Sequence, residues 1–189
     1  MIYIFLVVSG IVILFSFFII ILIFLFLIYS VYLETILRNS SFSPTKINKY
    51  RKQFEILFDF LESLDLKNKK FVDLGSGDGG IVVEFVKHNY QSYGVEINPS
   101  LIFWSKLRAR KLKNIFFIRK NIFKINLRDF GIVYLYRLSS TNKKLLPKFE
   151  NELSIGSVIV SHRFALPQSD KIKLIKIIGN NDLLVYQKK

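Results

Sequence analysis

The ten residues Phe71-Val72-Asp73-Leu74-Gly75-Ser76-Gly77-Asp78-Gly79-Gly80 do more than any other stretch to restrict what this chain can fold into. An apolar run ends in an acid, a glycine loop follows, and a second apolar run begins, which reads as strand, tight turn and helix. Glycine tolerates backbone conformations closed to other residues and lets the main chain come close to a ligand. Asp73 falls at the strand tip, where a carboxylate can hold a cationic or hydroxyl-rich group. Asp78 falls at the helix start.

Asp78 bears on the choice of ligand. Gly75, Gly77 and Gly80 satisfy G-x-G-x-x-G, which alone is a weak dinucleotide signal. A dinucleotide rests its pyrophosphate on the helix N-terminus, and an acid there repels it. S-adenosylmethionine (SAM) has no phosphate and carries an ammonium and a sulfonium, so two acids flanking the loop suit it. Glu96 ends the next apolar stretch, 23 residues beyond Asp73. There its carboxylate can accept hydrogen bonds from both ribose hydroxyls, each contributing roughly 1.5–3 kcal/mol.

Ile2 to Leu33 contains no charged residue. As a helix it measures roughly 48 Å, more than a ~30 Å hydrocarbon core and too little for two spans. One tilted helix fits, with Tyr3 at one interface and Tyr29 and Tyr32 at the other. A cleaved signal peptide would have a basic start and a small-residue cleavage site, and neither is present. The expected organisation is a transmembrane anchor over 1–38, a linker over 39–46 and a catalytic domain over 47–189. Arg38, Lys46, Lys49, Arg51 and Lys52 follow the span and nothing positive precedes it, so the positive-inside rule puts the domain in the cytoplasm and the N-terminus outside. In a eukaryote the mitochondrial inner membrane also fits. The net charge of +14 favours contact with anionic lipid, and nucleic acid is not the expected partner. With no cysteine, disulfides and thiolate metal sites are excluded, and no metal is expected.

The linker has turn chemistry around Pro44. Ile47 to Leu66 has helical spacing, with Phe54, Leu57, Phe58 and Leu61 on one face. Strands are expected at 70–74, 91–96, 114–118, 132–136 and 157–162, with helices at 80–88, 99–111 and 142–153. Two further strands at 172–178 and 183–187 flank Gly179-Asn180-Asn181-Asp182, a hairpin signal. Such alternation gives an α/β fold: a Rossmann-like, mostly parallel sheet closed by an antiparallel hairpin and preceded by one transmembrane helix. Ligands bind at the carboxyl ends of such strands, where Asp73, Glu96, Asn121, Tyr136 and His162 fall.

Residues 42–167 resemble the family of small SAM-dependent protein lysine methyltransferases. That family includes broad-specificity archaeal enzymes and membrane-anchored mitochondrial enzymes that modify the adenine nucleotide translocase and the ATP synthase c-subunit. The resemblance rests on Phe42-Ser43-Pro44-Thr45, on 72–79, on Gly94-Val95-Glu96-Ile97-Asn98-Pro99 and on Trp104-Ser105-Lys106-Leu107-Arg108-Ala109. Leu145-Leu146-Pro147-Lys148 and Val160-Ser161-His162-Arg163-Phe164-Ala165-Leu166-Pro167 complete it. It implies a SAM site formed by Pro44, Thr45, Asp73, Gly75, Ser76, Gly77, Asp78, Gly79, Glu96, Ile97, Asn98, Asn121 and Phe123. Lys46 stands where the family often has a second proline, and Gly80 replaces a usual Arg. Lys120-Asn121 stands where the family carries an acid, so the contact of Asn121 with the adenine amino group is uncharged.

Methyl transfer from a sulfonium is an in-line displacement, so the protein chiefly aligns the reacting atoms. A lysine acceptor must also lose a proton, at a cost of roughly 4.6 kcal/mol at pH 7. A dry aromatic pocket lowers that cost, and Tyr134, Tyr136 and Phe123 fall near strand ends where they can line one. His162 is the only ionisable base candidate in the right place. Lysine as acceptor, on a protein at the membrane, is what the resemblance implies. A lipid or quinone-like acceptor and a catalytically silent SAM-fold scaffold are the alternatives.

Overall fold

A computed structural model describes residues 2–39 and 47–189. The expected contacts of Pro44 and Thr45, and most of the linker, lie outside the described residues. The chain forms two compact units, Met1–Phe42 and Ser43–Lys189.

The described part of the first unit is one helix, α1 (Ile2–Asn39). Its segment Val12–Ser30 has a mean hydropathy of 3.2, and none of its residues is buried. Helices this apolar on every side do not pack against water.

The second unit is a seven-stranded sheet, numbered in chain order as β1 (Lys70–Leu74), β2 (Ser92–Glu96), β3 (Ile115–Arg119), β4 (Phe130–Leu135), β5 (Val158–His162), β6 (Ile172–Ile178) and β7 (Leu183–Lys188). The order across the sheet is β3-β2-β1-β4-β5-β7-β6. The first five strands are parallel; β7 pairs antiparallel with both β5 and β6. The closing hairpin therefore adds two strands, with β7 inside and β6 at the edge.

The helices of this unit are α2 (Arg51–Ser63), α3 (Gly80–Lys87), α4 (Pro99–Ala109) and α5 (Ser139–Glu152). The Ile47–Leu66 helix expected from spacing is shorter than that, since a 3-10 turn occupies Ile47–Tyr50. Phe54, Leu57, Phe58 and Leu61 are buried as the spacing requires, in one core with Phe71, Ile132 and Val160 of the sheet and Phe85 of α3. On the other face Leu145 and Phe149 of α5 pack with Val72, Val133 and Ile159. Successive strand residues point to opposite faces, so each strand supplies both cores. Each fully buried large apolar side chain contributes roughly 1.5–3 kcal/mol.

Strand order reverses between β1 and β4, because the chain runs outward through β2 and β3 and then returns. Open α/β sheets bind ligands at that switch point, beyond the carboxyl ends of the strands. The glycine loop lies there.

Candidate active site

The loop after β1 turns through three residues with positive φ: Gly75 at 90°, Gly77 at 55° and Gly79 at 77°. The amides of Gly75 and Ser76 both donate to the carbonyl of Val95, at 2.7 and 3.0 Å, which ties the loop to β2. A side chain at Gly94 would meet Phe117 and the Ser76 hydroxyl, each 2.7 Å from its Cβ. Ser105 on α4 reaches the carbonyl of Gly77 at 3.0 Å and clamps the loop from the helix side.

Asp73, 4% exposed, sits beneath this loop. Burial raises its pKa to about 7; the Arg137 cation opposes the shift, and the Glu96 and Asp78 carboxylates add to it. Glu96, 6% exposed, accepts from the amide of Gly77 (3.1 Å) through one oxygen, and from the amides of Ile97 (2.8 Å) and Asn98 (2.9 Å) through the other. A carboxylate offers about four acceptor positions. Three are taken by backbone, leaving room for one further strong donor where sequence suggested two ribose hydroxyls.

Asp78 is not a free charge at the helix start. Arg108 Nη2 lies 2.7 Å from its carboxylate, which also accepts from the amide of Gly80 at 3.3 Å. Asn98 caps α4, accepting from the amides of Ser100 (2.9 Å) and Leu101 (3.4 Å). Asn121 likewise accepts from the amide of Phe123 at 3.0 Å. Among the described residues the buried Ser76 Oγ and Asn98 Nδ2 have no hydrogen-bond partner. Ile97 and Phe123 present exposed apolar surface beyond the ends of β2 and β3.

Arg108 and Arg137 are parts of the site that sequence patterns did not single out. Arg137 Nε donates to the carbonyl of Leu74 at 3.2 Å, and a Cβ on Gly75 would lie 1.3 Å from Arg137 Nη2. Gly75 thus leaves the space that the guanidinium fills. The usable signal for Arg137 is its place just past the end of β4, the strand beside β1.

A second cluster forms at the ends of β4 and β5. Tyr134, in register with Asp73 on β1, is buried in the core beside Phe54, and its hydroxyl lies 2.6 Å from His162 Nδ1. Tyr136 stacks on the His162 ring with centroids 4.4 Å apart, and Tyr50 meets that ring edge-on at 4.8 Å. Burial, aided by the nearby Arg163 cation, lowers the His162 pKa to about 4, and among the described residues its Nε2 has no hydrogen-bond partner. Arg163 carries its guanidinium 5.5 Å above the Tyr50 ring. Asn142 of α5 donates to the carbonyl of Phe164 at 2.9 Å and holds the turn after β5. Tyr134 and Tyr136 therefore differ, one locked in the core and one part-exposed beyond its strand. Among the described residues no group of three or more His, Asp or Glu could hold a metal ion.

A glycine loop at the switch point, an acid beneath it and a second acid closing β2 define a methyltransferase fold of the SAM-dependent class. A family model for the ANTKMT methyltransferase domain matches residues 73–173. The chain belongs to that family. It is 37% identical over 117 residues to an ATP synthase C-subunit lysine N-methyltransferase of Caenorhabditis elegans, covering 59% of this chain and 61% of that protein. It is 34% identical over 110 residues to the adenine nucleotide translocase lysine N-methyltransferase of Mus musculus, covering 56% of this chain and 48% of that one. The chain thus spans about half the length of the mouse relative and three fifths of the nematode one. The structure superposes on an RNA methyltransferase from Salinibacter ruber in complex with S-adenosyl-L-homocysteine, with a TM-score of 0.62 and 27% identity, over 77% of this chain and 92% of that one.

Proposed function

We propose that this chain is a SAM-dependent methyltransferase acting on lysine side chains of a membrane or membrane-associated protein. The observation that carries the reading is Asp73: a buried carboxylate under a glycine loop, without an ion-pair contact among the described residues. An acid so placed favours a cationic ligand over a phosphate. The lysine acceptor is supported by the nematode and mouse relatives, which are lysine N-methyltransferases of the ATP synthase C subunit and the adenine nucleotide translocase.

The residues present fit SAM. Asp73 would hold its ammonium, Glu96 one ribose hydroxyl, and Asn121 the adenine amino group, with Ile97 and Phe123 against the adenine faces. Ser76 Oγ and Asn98 Nδ2 supply buried polar atoms still in want of partners. When bound, SAM supplies an activated methyl group that passes to a lysine nitrogen as the carbon–sulfur bond breaks, its electron pair staying on sulfur.

The chain's own contribution is alignment and desolvation. Tyr50, Tyr136, His162 and Phe164 form an aromatic wall, and the Arg163 guanidinium over Tyr50 illustrates its affinity for a cation. Such a wall seats a lysine while withholding water, which lowers the cost of losing its proton. With a pKa near 4, His162 is neutral at pH 7 and serves as wall more than as proton acceptor. Tyr134 positions it.

In the same reading α1 crosses a bilayer through Val12–Ser30 with the catalytic domain on the cytoplasmic side, holding the enzyme near bilayer substrates. The exposed apolar surface of α1 also suits a lipid or quinone-like acceptor, which is the second reading.

Calorimetry of the full chain in detergent tests the cofactor. SAM should bind, and Asp73→Ala should lose that binding while retaining its circular dichroism. Failure of the wild type to bind, or full affinity in the variant, contradicts the reading.

A further inference from the structure

The outward face of α4 carries an apolar ridge where a solvent-facing helix ordinarily presents polar side chains. Phe103, Trp104 and Leu107 are 62, 58 and 39% exposed, and the Phe103 and Trp104 rings meet edge-on at 5.6 Å. The opposite side of the helix, with Leu101, Ile102, Ser105 and Ala109, is buried against the fold. At 3.6 residues per turn, Phe103 and Leu107 run along the middle of the outward face. Lys106 borders the ridge, and Arg110 and Lys111 follow in the turn that ends the helix.

Charge is one-sided along this part of the sequence. Between Glu96 and Asp129 there are nine Lys or Arg residues and no acid. Arg108 is neutralised by Asp78, and among the described residues none of the other eight makes an ion pair.

We propose that this face of α4 seats on an anionic lipid surface. Phe103, Trp104 and Leu107 enter the interface, and Lys106, Arg110 and Lys111 meet acidic headgroups. Aromatic rings are favoured at headgroup level, and a basic rim around an apolar ridge is the pattern of helices that lie in that plane. Nucleic acid would use the same cations, and bases would stack on Trp104. Phe103 and Leu107 add apolar surface that a phosphate backbone does not want, and the same chain carries a 38-residue apolar helix. The lipid surface is therefore favoured. The Asn98 amide at the start of α4 donates to Glu96 and the Ser105 hydroxyl on its inner side donates to the carbonyl of Gly77, so seating α4 brings the candidate site to the bilayer. The ridge and its basic rim are surface features, independent of which ligand the glycine loop holds.

Trp104 is the only tryptophan of the chain, so its fluorescence reports this face alone. The full chain is reconstituted into phosphatidylcholine vesicles with and without phosphatidylserine, using brominated acyl chains as quenchers. With phosphatidylserine, Trp104 emission should shift to the blue and lose more than half its intensity, and high salt or the double substitution Lys106→Glu/Lys111→Glu should restore it. Because the readout is local, insertion of α1 cannot produce it. Trp104 equally open to aqueous acrylamide in both compositions, while the protein floats with the vesicles, would overturn the proposal. So would quenching that ignores salt and headgroup, or protection by RNA but not by vesicles. The salt dependence of the wild type decides the matter if the double variant fails to fold.

Discussion

The Tyr134 hydroxyl and His162 Nδ1 lie 2.6 Å apart inside the protein, between strands that run side by side in the sheet. The contact fixes the imidazole ring at the wall of the candidate site and removes it from water. Burial, with the Arg163 cation, accounts for the fall of its pKa to about 4. The folded-state value lies below the ordinary 6.5, so the stabilisation is present above that pH and is lost as pH falls toward 4. Imidazole proton resonances should stay constant from pH 8 to 5 for His162, while stability falls between about pH 6.5 and 4 by up to about 3 kcal/mol in total. A midpoint near 6.5 would mean that the ring is open to solvent.

Asp73 behaves in the opposite sense. Its folded-state pKa, about 7 against an ordinary 3.8, makes the ligand-free protein lose stability as pH rises from about 4 to about 7. A bound cation favours the ionised form. SAM affinity should therefore rise with pH through about 7, and calorimetry at pH 6 in buffers of different ionisation enthalpy should detect proton release. Asp73→Asn should bind at least tenfold more weakly with no such pH dependence; an unchanged profile would assign the proton elsewhere.

Gly75→Ala separates backbone strain from crowding. The new Cβ would fall on Arg137 Nη2, the far end of a flexible side chain that can move, but the φ of 90° stays unsuitable for alanine. The variant should lose about 1–2 kcal/mol in denaturant unfolding. Adding Arg137→Ala should recover little of that loss. Full recovery would show that crowding by Arg137 is the cause.

Asn121→Asp should keep the cap on the Phe123 amide and add charge to the adenine contact. Hydrogen bonds to charged groups exceed neutral ones by about 1 kcal/mol, so SAM should bind roughly fivefold more tightly. Weaker binding would show that Asn121 does not face the adenine.

Much of this was legible in the sequence because it rests on local pattern. The glycine loop, the acid ending β2 and the face of α2 depend on residues a few positions apart, and the structure sets them where spacing requires. What stayed hidden depends on packing between elements. Arg108 reaches Asp78 only because α4 lies beside the start of α3, and Arg137 meets Gly75 only because β4 neighbours β1. Alternation placed Tyr134 and Tyr136 on one face but could not show that β4 ends between them, leaving one buried and one at the rim. Leu138 and Ser139 begin α5 earlier than the apolar pattern suggested, since its first turn is polar.

The most direct test of lysine methylation follows the methyl group itself. Membranes from the source cells, incubated with the full chain and SAM radiolabelled on the methyl carbon, are extracted with organic solvent, and the protein residue is hydrolysed. Label recovered as methyl-lysine, and absent with the Asp73→Ala variant, is the predicted result. Label that leaves with the solvent as methylated lipid would contradict it.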